Sequence, residues 1–231
     1  MTTTDRPTTD LTTTGTTATG TTIAVLGATG MVGSRVAAEA GARGHRVRAL
    51  SRRPAADEPG VTPVAVDASD TDALRAALTG SDAVVVTVRT DPVDQDFLVG
   101  TTRAVLDAAA GAGTRVLVVG GAGVLRSPGT PGLLVADDPA HVPAGVRPVA
   151  AAGVAQLAAC RAHPYRNWVY VAPPALLEPG ERTGRYRRGT DTLLTAAGGR
   201  SWISAEDLAV AVLDELQDPG AEHLITVVHR P

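Results

Sequence analysis

Short apolar runs alternate with helical patterns along most of this 231-residue chain. Seven runs have the length of buried strands, and glycine or polar clusters mark most of their ends. The run that begins at Ala83 is almost pure valine, which is typical of a strand buried on both faces. The predicted strands are the run before Gly27 and residues 45–50, 61–66, 83–88, 116–119, 168–171 and 224–228.

Helix signals occupy most of the segments between these runs. Helices are predicted over about residues 31–42, 97–110 and 148–161, and a shorter helix capped by Asp70 or Thr71 ends near residue 80. Ser204 begins the last helix, and Asp207 three residues later indicates a capping box. The alternation predicts a single α/β domain with a doubly wound, mostly parallel sheet, whose strands end at one crevice.

Three glycines follow the first strand at the point where a helix begins. Gly27 permits a tight turn, Gly30 lets the backbone approach a pyrophosphate, and Gly33 lets the helix pack closely on the strand. A phosphate would then lie at the positive N-terminus of the helix. Because βα units continue beyond it, the pattern predicts a dinucleotide-binding turn, with a purely structural glycine turn as the alternative.

The end of the second predicted strand carries Arg52 and Arg53. An NAD site usually has a carboxylate here that binds the ribose 2′-hydroxyl, whereas arginine accommodates a 2′-phosphate. The first acidic residue, Asp57, lies beyond a proline, so the sequence favours NADP(H) over NAD(H) unless both arginines lie in a solvated loop. Asp67 either flanks the adenine or caps the next helix. The predicted cofactor contacts are Gly27, Thr29, Gly30, Met31, Val32, Gly33, Arg52, Arg53, Asp67, Thr87, Val88, Gly120, Gly121 and Pro173.

Composition limits the class of protein. The first 21 residues are rich in threonine, so we expect a disordered tail followed by one domain over residues 22–231. No signal peptide or membrane span is predicted, because no apolar stretch is long enough. A net charge of −3 and a pI near 5.9 disfavour a nucleic-acid partner. The single cysteine, Cys160, excludes an internal disulfide and a thiolate metal cage and favours a reducing cytoplasm.

Four segments carry a family resemblance. They are Gly-Ala-Thr-Gly-Met-Val-Gly at 27–33, Val-Val-Gly-Gly-Ala-Gly at 118–123, the segment 172–186 that begins Ala-Pro-Pro, and the segment 201–211 that begins Ser-Trp-Ile-Ser. With them the chain, from Thr22 to its C-terminus, resembles an atypical short-chain dehydrogenase/reductase of the NmrA-like, NADH-flavin reductase type. The resemblance implies a Rossmann fold, NADPH as cofactor and, in some members, reduction of flavins or quinone-like acceptors.

Several groups that would donate a proton are missing. All 21 basic residues are arginine, so the chain has no lysine and no Tyr-x-x-x-Lys pair of the ordinary short-chain dehydrogenases. One relative of the group has a serine and a histidine where this chain has Gly121 and Ala175. A ketone would lack its general acid, whereas a flavin or quinone can take its proton from water.

We therefore expect an NADPH-dependent reductase of a flavin, a quinone or a similar planar or anionic small molecule. A redox-neutral or specialised biosynthetic tailoring enzyme, such as an epimerase, a cyclase or a reductase of a pathway intermediate, is one alternative. A non-catalytic NADP-sensing regulator is another, and the missing catalytic residues are the best argument for it.

The substrate pocket is expected on a small C-terminal lobe built from about residues 124–147 and 172–203. A long loop over 172–191 would be a lid whose arginines bind an anionic group, or else a solvated charged loop. Tyr186 and His141 are weak candidates for a catalytic proton donor. His163, at a helix end, is expected to have a structural role.

Overall fold

A computed structural model describes residues 20–55 and 59–231. Residues 1–19, which make up most of the threonine-rich segment expected to be disordered, lie outside these ranges, and so does Asp57. Within the described ranges, no helix is both long and apolar enough to cross a membrane.

Ten strands, five α-helices and three short 3₁₀ helices form the regular structure of the described chain. The strands are β1 (Thr22–Leu26), β2 (Arg46–Ser51), β3 (Val61–Ala65), β4 (Ala83–Val86), β5 (Arg115–Val119), β6 (Trp168–Ala172), β7 (Leu176–Glu178), β8 (Tyr186–Gly189), β9 (Trp202–Ser204) and β10 (Leu224–His229). The helices are α1 (Met31–Ala42), α2 (Thr71–Leu78), α3 (Gln95–Ala112), α4 (Arg147–Ala162) and α5 (Ala205–Gln217). All seven strands and five helices expected from the sequence are present, with ends shifted by at most about two residues.

Eight strands form one sheet in the order β3-β2-β1-β4-β5-β6-β10-β8. Every pairing is parallel except that of β8 with β10. The strand order reverses direction at β1 and β4, and ligands bind at such a switch point in doubly wound sheets. The predicted Rossmann-type architecture is therefore confirmed, and the glycine turn after β1 lies at its switch point.

The sheet buries an apolar layer on each face. Val84 and Val86 of β4 pack on the side of α2, α3 and α4, while Val85 packs on the side of α1 and α5. All residues of β4 are buried, as its valine-rich sequence predicts. Burial on both faces makes the sheet a rigid support for the turns at its carboxyl edge.

The segment expected as a long loop over 172–191 contains two strands that the sequence analysis missed. β7 pairs with β9 in a separate two-stranded sheet, and β8 adds an antiparallel edge to the main sheet through β10. Two consecutive arginines, Arg187 and Arg188, dominate β8, so it lacks the apolar alternation that marks a strand. At the opposite edge of the main sheet, β3 contains Pro63.

The start of α5 confirms half of the predicted capping box. The Ser204 hydroxyl oxygen accepts a hydrogen bond from the Asp207 amide at 3.0 Å. The Asp207 carboxylate, however, accepts from the amides of Thr183 and Gly184, each at 2.8 Å. Asp207 thus holds the segment before β8 against α5 and does not complete the capping box.

Candidate functional site

The glycine turn after β1 has the conformation that the sequence predicts. Gly27 has φ +91°, in the left-handed region that glycine adopts readily. Its amide donates to the Leu50 carbonyl oxygen of β2 at 2.9 Å. A Cβ atom on Gly33 would lie 2.2 Å from the Gly27 carbonyl oxygen, so only glycine allows α1 to approach the turn this closely.

Thr87, directly after β4, fixes the turn from the other side. Its hydroxyl donates to the Leu26 carbonyl oxygen at 2.9 Å and lies 3.3 Å from that of Gly27. A Cβ atom on Gly27 would come within 2.7 Å of this hydroxyl oxygen. Thr87 therefore has a structural role in the turn in addition to its place in the crevice.

The first turn of α1 offers backbone donors to an anion. Gly30 precedes the helix with φ −77°, an ordinary value, and in the described chain no side chain caps the helix start. The first amides of a helix have no partner within it, and the helix dipole makes this end positive. A tight glycine turn that leads into an uncapped helix fits the pyrophosphate of a dinucleotide.

A crevice of about 810 Å³ runs along the carboxyl edge of the sheet beside this turn. It brings together twelve of the fourteen predicted cofactor contacts. Within the described residues, Gly33 and Arg53 are the two that do not line it. The lining contacts are Gly27, Thr29, Gly30, Met31, Val32, Arg52, Asp67, Thr87, Val88, Gly120, Gly121 and Pro173.

The end of the crevice beside β2 is polar. Arg52 and Asp67 line it together with Ser51, whose buried hydroxyl has no hydrogen-bond partner among the described residues. Asp67 accepts from the Ser69 amide at 2.9 Å, and this backbone bond is the main cause that lowers the pKa of Asp67. Asp70, not Asp67, caps α2. Sequence reasoning missed Ser51, although it directly precedes the predicted arginine.

The other half of the crevice is mainly apolar. It is lined by Phe97, Val135, Val142, Val146, Val149 and Leu177. The described chain has four exposed large hydrophobic residues, and three of them line the crevice: Met31, Val146 and Val149. The fourth is Leu176, which lies between the lining residues Ala175 and Leu177. Clustered exposed apolar side chains are typical of a surface that binds a ligand. His141 and Arg89 also line this half.

A buried polar side chain lines the part of the crevice beside α4. Gln156 is 3% exposed and lines the crevice near Gly121 and Gly153. Tyr170 of β6 lies beneath, where a Cβ atom on Gly120 would come within 1.7 Å of the tyrosine oxygen. Sequence reasoning missed Gln156, although a lone polar residue on the buried face of a helix could have drawn attention to it.

Tyr186 does not reach the crevice. Its hydroxyl donates to the Asp214 carboxylate of α5 at 2.6 Å, and burial together with this bond raises the tyrosine pKa above its usual range. Within the described residues it is absent from the crevice lining, so its placement argues against Tyr186 as a proton donor. His141 remains the one predicted candidate that the structure brings to the crevice.

Three of the four arginines in the expected lid bind other parts of the protein. Arg182 forms two hydrogen bonds with the buried Glu39 carboxylate of α1, at 2.7 and 2.8 Å. Arg187 donates to the Thr195 carbonyl oxygen, and Arg188 pairs with Glu215. These contacts contradict a lid whose arginines are free to bind an anionic substrate.

Two other residues have structural roles, and that of His163 was expected from the sequence. His163 ends α4 and lies 3.1 Å from the Asp107 carboxylate of α3. Cys160 is fully buried, and burial raises the pKa of its thiol to about 12. A thiol in that state is a poor nucleophile.

Comparison with known proteins places these features in a family. Residues 27–219 match the model of a family described as NAD(P)H-binding. The Bacillus subtilis protein YwnB, itself uncharacterized, is 34% identical over 200 residues, which cover 85% of this chain and 92% of YwnB.

Solved structures are similar over nearly the whole chain. A Burkholderia pseudomallei protein named as a proposed exported protein has a TM-score of 0.81 and 38% identity, over 90% of this chain and 100% of its own. A proposed epimerase from Bacteroides thetaiotaomicron has a TM-score of 0.81 and 32% identity, over 92% and 98% of the two chains. A proposed NADH-flavin reductase from Streptococcus pneumoniae has a TM-score of 0.80 and 30% identity, over 91% and 100%.

The glycine turn, the uncapped helix start and the family match agree with one another. The chain belongs to the NAD(P)H-binding Rossmann family, as an atypical short-chain dehydrogenase/reductase.

Proposed function

We propose that this protein is an NADPH-dependent reductase of a flavin, a quinone or a similar planar conjugated small molecule. The observation that carries the proposal is the division of one crevice into a polar cofactor end and an apolar end bordered by exposed hydrophobic residues. A flat apolar ring buries its faces against such a wall, with a favourable transfer free energy of about 25 cal/mol per Å² of apolar surface. The similarity to a proposed NADH-flavin reductase supports the same class of acceptor.

The polar end supports NADPH over NADH. Arg52 and the Ser51 hydroxyl, which has no hydrogen-bond partner among the described residues, lie where the ribose 2′-position of a bound dinucleotide is expected. A guanidinium forms charge-assisted hydrogen bonds with phosphate, and a serine hydroxyl adds a neutral donor. The Asp67 carboxylate at the same end of the crevice accepts a hydrogen bond from the Ser69 amide.

The proposed chemistry places few demands on the protein side chains. The bound nicotinamide would supply the hydride, and the protein would hold two rings together in a crevice with little water. The chain has no lysine, and His141 is the only histidine among the described residues that line the crevice. A conjugated acceptor that takes its proton from solvent suits this arrangement better than an ordinary ketone.

The decisive experiment follows NADPH absorbance with a panel of FMN, riboflavin and naphthoquinones, and with simple ketones as the control class. We expect steady oxidation with at least one planar acceptor and none with the ketones. Oxidation with ketones alone would refute the proposed acceptor class.

A redox-neutral reaction is the second candidate, and the similarity to a proposed epimerase favours it. Such an enzyme would convert its substrate without net use of NADPH. A non-catalytic sensor would show NADPH binding in calorimetry and leave the NADPH absorbance unchanged with every compound.

We also propose a cytoplasmic location because of the single buried cysteine. Cell fractionation tests this location against the exported-protein name of the Burkholderia relative.

A further inference from the structure

Gln156 is the only polar residue among the buried residues of α4. The other residues of that buried face are alanine, glycine, leucine and cysteine, as a helix packed on a sheet requires. An amide at such a position loses its bonds to water, and this costs free energy unless protein or ligand groups replace them. The hydrogen-bond partners of Gln156 therefore show which groups of the amide are satisfied within the protein.

Two hydroxyl groups fix the orientation of the amide. The Thr102 hydroxyl donates its only proton to the Leu98 carbonyl oxygen at 2.7 Å, so its oxygen accepts from Gln156 Nε2 at 3.1 Å. The Tyr170 hydroxyl lies 3.3 Å from Gln156 Oε1 and donates toward it. The amide nitrogen thus faces Thr102, and its oxygen faces Tyr170.

Neither hydroxyl depends on Gln156 for a hydrogen-bond acceptor. Thr102 already donates to Leu98, and the Tyr170 hydroxyl also lies 3.3 Å from the Gly153 carbonyl oxygen. Replacing Gln156 with an apolar residue would leave both protons bonded to backbone. The two hydroxyl groups therefore fix the orientation of the Gln156 amide, but neither needs the amide as an acceptor for its own proton.

The amide nitrogen keeps one hydrogen for a ligand. Of its two N–H groups, one binds Thr102, and the second has no acceptor among the described residues. Gln156 lines the crevice together with Gly121 and Gly153. Helical side chains lean toward the N-terminus of their helix, which directs Gln156 toward Gly153.

The position of Gln156 indicates which part of the cofactor is nearby. A pyrophosphate at the start of α1 and a 2′-phosphate beside Arg52 would direct the adenosine half of a dinucleotide toward β2. The nicotinamide riboside half must then extend the other way, across Gly120 and Gly121 at the end of β5 toward α4. Gln156 borders that part of the crevice.

We propose that Gln156 donates a hydrogen bond from Nε2 to an oxygen of the nicotinamide riboside and thereby positions the nicotinamide ring. The oxygen is either the carboxamide carbonyl or a hydroxyl of the second ribose, and both are acceptors that one N–H satisfies. Gln156 is a cofactor-positioning residue that lies outside the glycine turn and the arginine end. The inference rests on the binding of a nicotinamide cofactor and not on the identity of the acceptor.

The test measures the binding of three ligands to Gln156→Met by calorimetry. Methionine keeps the length of the side chain and removes the donor. NADPH affinity should fall about three- to tenfold, as expected for one lost neutral hydrogen bond. Affinity for 2′,5′-ADP, which lacks both the second ribose and the nicotinamide, should not change. Loss of affinity for 2′-phospho-ADP-ribose as well identifies the ribose as the partner, and its retention identifies the carboxamide.

Cys160→Ala is the matched control, because Cys160 lies one turn further on the same buried face and, within the described chain, does not line the crevice. It should leave all three affinities unchanged. If Gln156→Met does not fold, Thr102→Val removes the oxygen that holds Nε2 and should weaken NADPH binding about two- to threefold with the same ligand pattern.

Unchanged NADPH affinity in a folded Gln156→Met, or an equal loss for all three ligands, overturns the inference. Failure of the wild-type protein to bind any nicotinamide cofactor would instead overturn the proposed function. If the wild-type protein prefers NADH, the series becomes NADH, ADP-ribose and ADP.

Discussion

Arg52 should determine the choice between NADPH and NADH, and its neighbour should not. The two arginines are consecutive and exposed, but only Arg52 is among the described residues that line the crevice. Arg52→Ala and Arg53→Ala therefore form a matched pair that removes the same charge at adjacent positions. A comparison of the two separates a specific contact from the general loss of a positive charge.

The expected magnitude follows from the geometry of the site. A hydrogen bond between charged groups contributes about 1.5 to 3 kcal/mol, and exposure of Arg52 to solvent favours the lower half of this range. One such bond lost in Arg52→Ala corresponds to about a ten- to fiftyfold weaker NADPH affinity. NADH has no 2′-phosphate, so its affinity should change less than threefold. Arg53→Ala should weaken NADPH only through long-range charge, by less than about threefold at 0.15 M salt.

Titration calorimetry of both cofactors with both variants provides the measurement. An equal loss of NADPH and NADH affinity in Arg52→Ala would refute the assignment of Arg52 to the 2′-phosphate. A larger effect from Arg53→Ala than from Arg52→Ala would show that the second arginine, and not the one in the crevice, binds that group.

Three further predictions concern the turn, the proton source and acid stability. Gly30→Val should fold, because a Cβ atom there meets only the Gly27 carbonyl oxygen at 3.2 Å, but calorimetry should show that NADPH binding is abolished. Gly33→Ala should instead lower the melting temperature, because its Cβ atom would lie 2.2 Å from the Gly27 carbonyl oxygen. His141→Ala and Tyr186→Phe should each keep reductase activity within about tenfold, because a required general acid contributes about 10²- to 10⁴-fold, and a thousandfold loss from either would reveal a dedicated donor. Arg182 is the main cause of a lowered Glu39 pKa, so Glu39 stabilises the fold above its ordinary pKa of 4.5 and loses this effect as the pH falls below it. Glu39→Gln should therefore lose less thermal stability than wild type between pH 6 and pH 3.5, and parallel losses would contradict the assignment.

The sequence predicted those parts of the fold whose causes are local. The valine run of β4 and the glycines at 27, 30 and 33 carry their structural reasons in neighbouring residues, because burial and tight turns restrict residue type directly. The Ser204 cap is equally local, since its partner amide lies three residues away. These features indicate a buried central strand, a cofactor turn and the start of the last helix.

The features that the sequence did not reveal depend on distant partners. β8 is a strand because β10 pairs with it from about forty residues away, and its arginines show no strand pattern. The same distance explains the incorrect lid: Arg182 was expected to face a substrate, but its partner Glu39 is on α1. Gln156 acquires its orientation from Thr102 and Tyr170, on two other elements. No local pattern in the chain encodes any of these pairings.

Both outer strands of the main sheet are poor templates for a strand from another molecule. Pro63 in β3 has no backbone N–H to donate, which interrupts the row of donors along that edge. At the other edge, β8 is only four residues long, and Arg187 keeps a positive charge there, so an approaching copy would bring two such charges together. The residues of the two edge strands therefore limit the eight-stranded sheet on both sides and disfavour edge-to-edge aggregation.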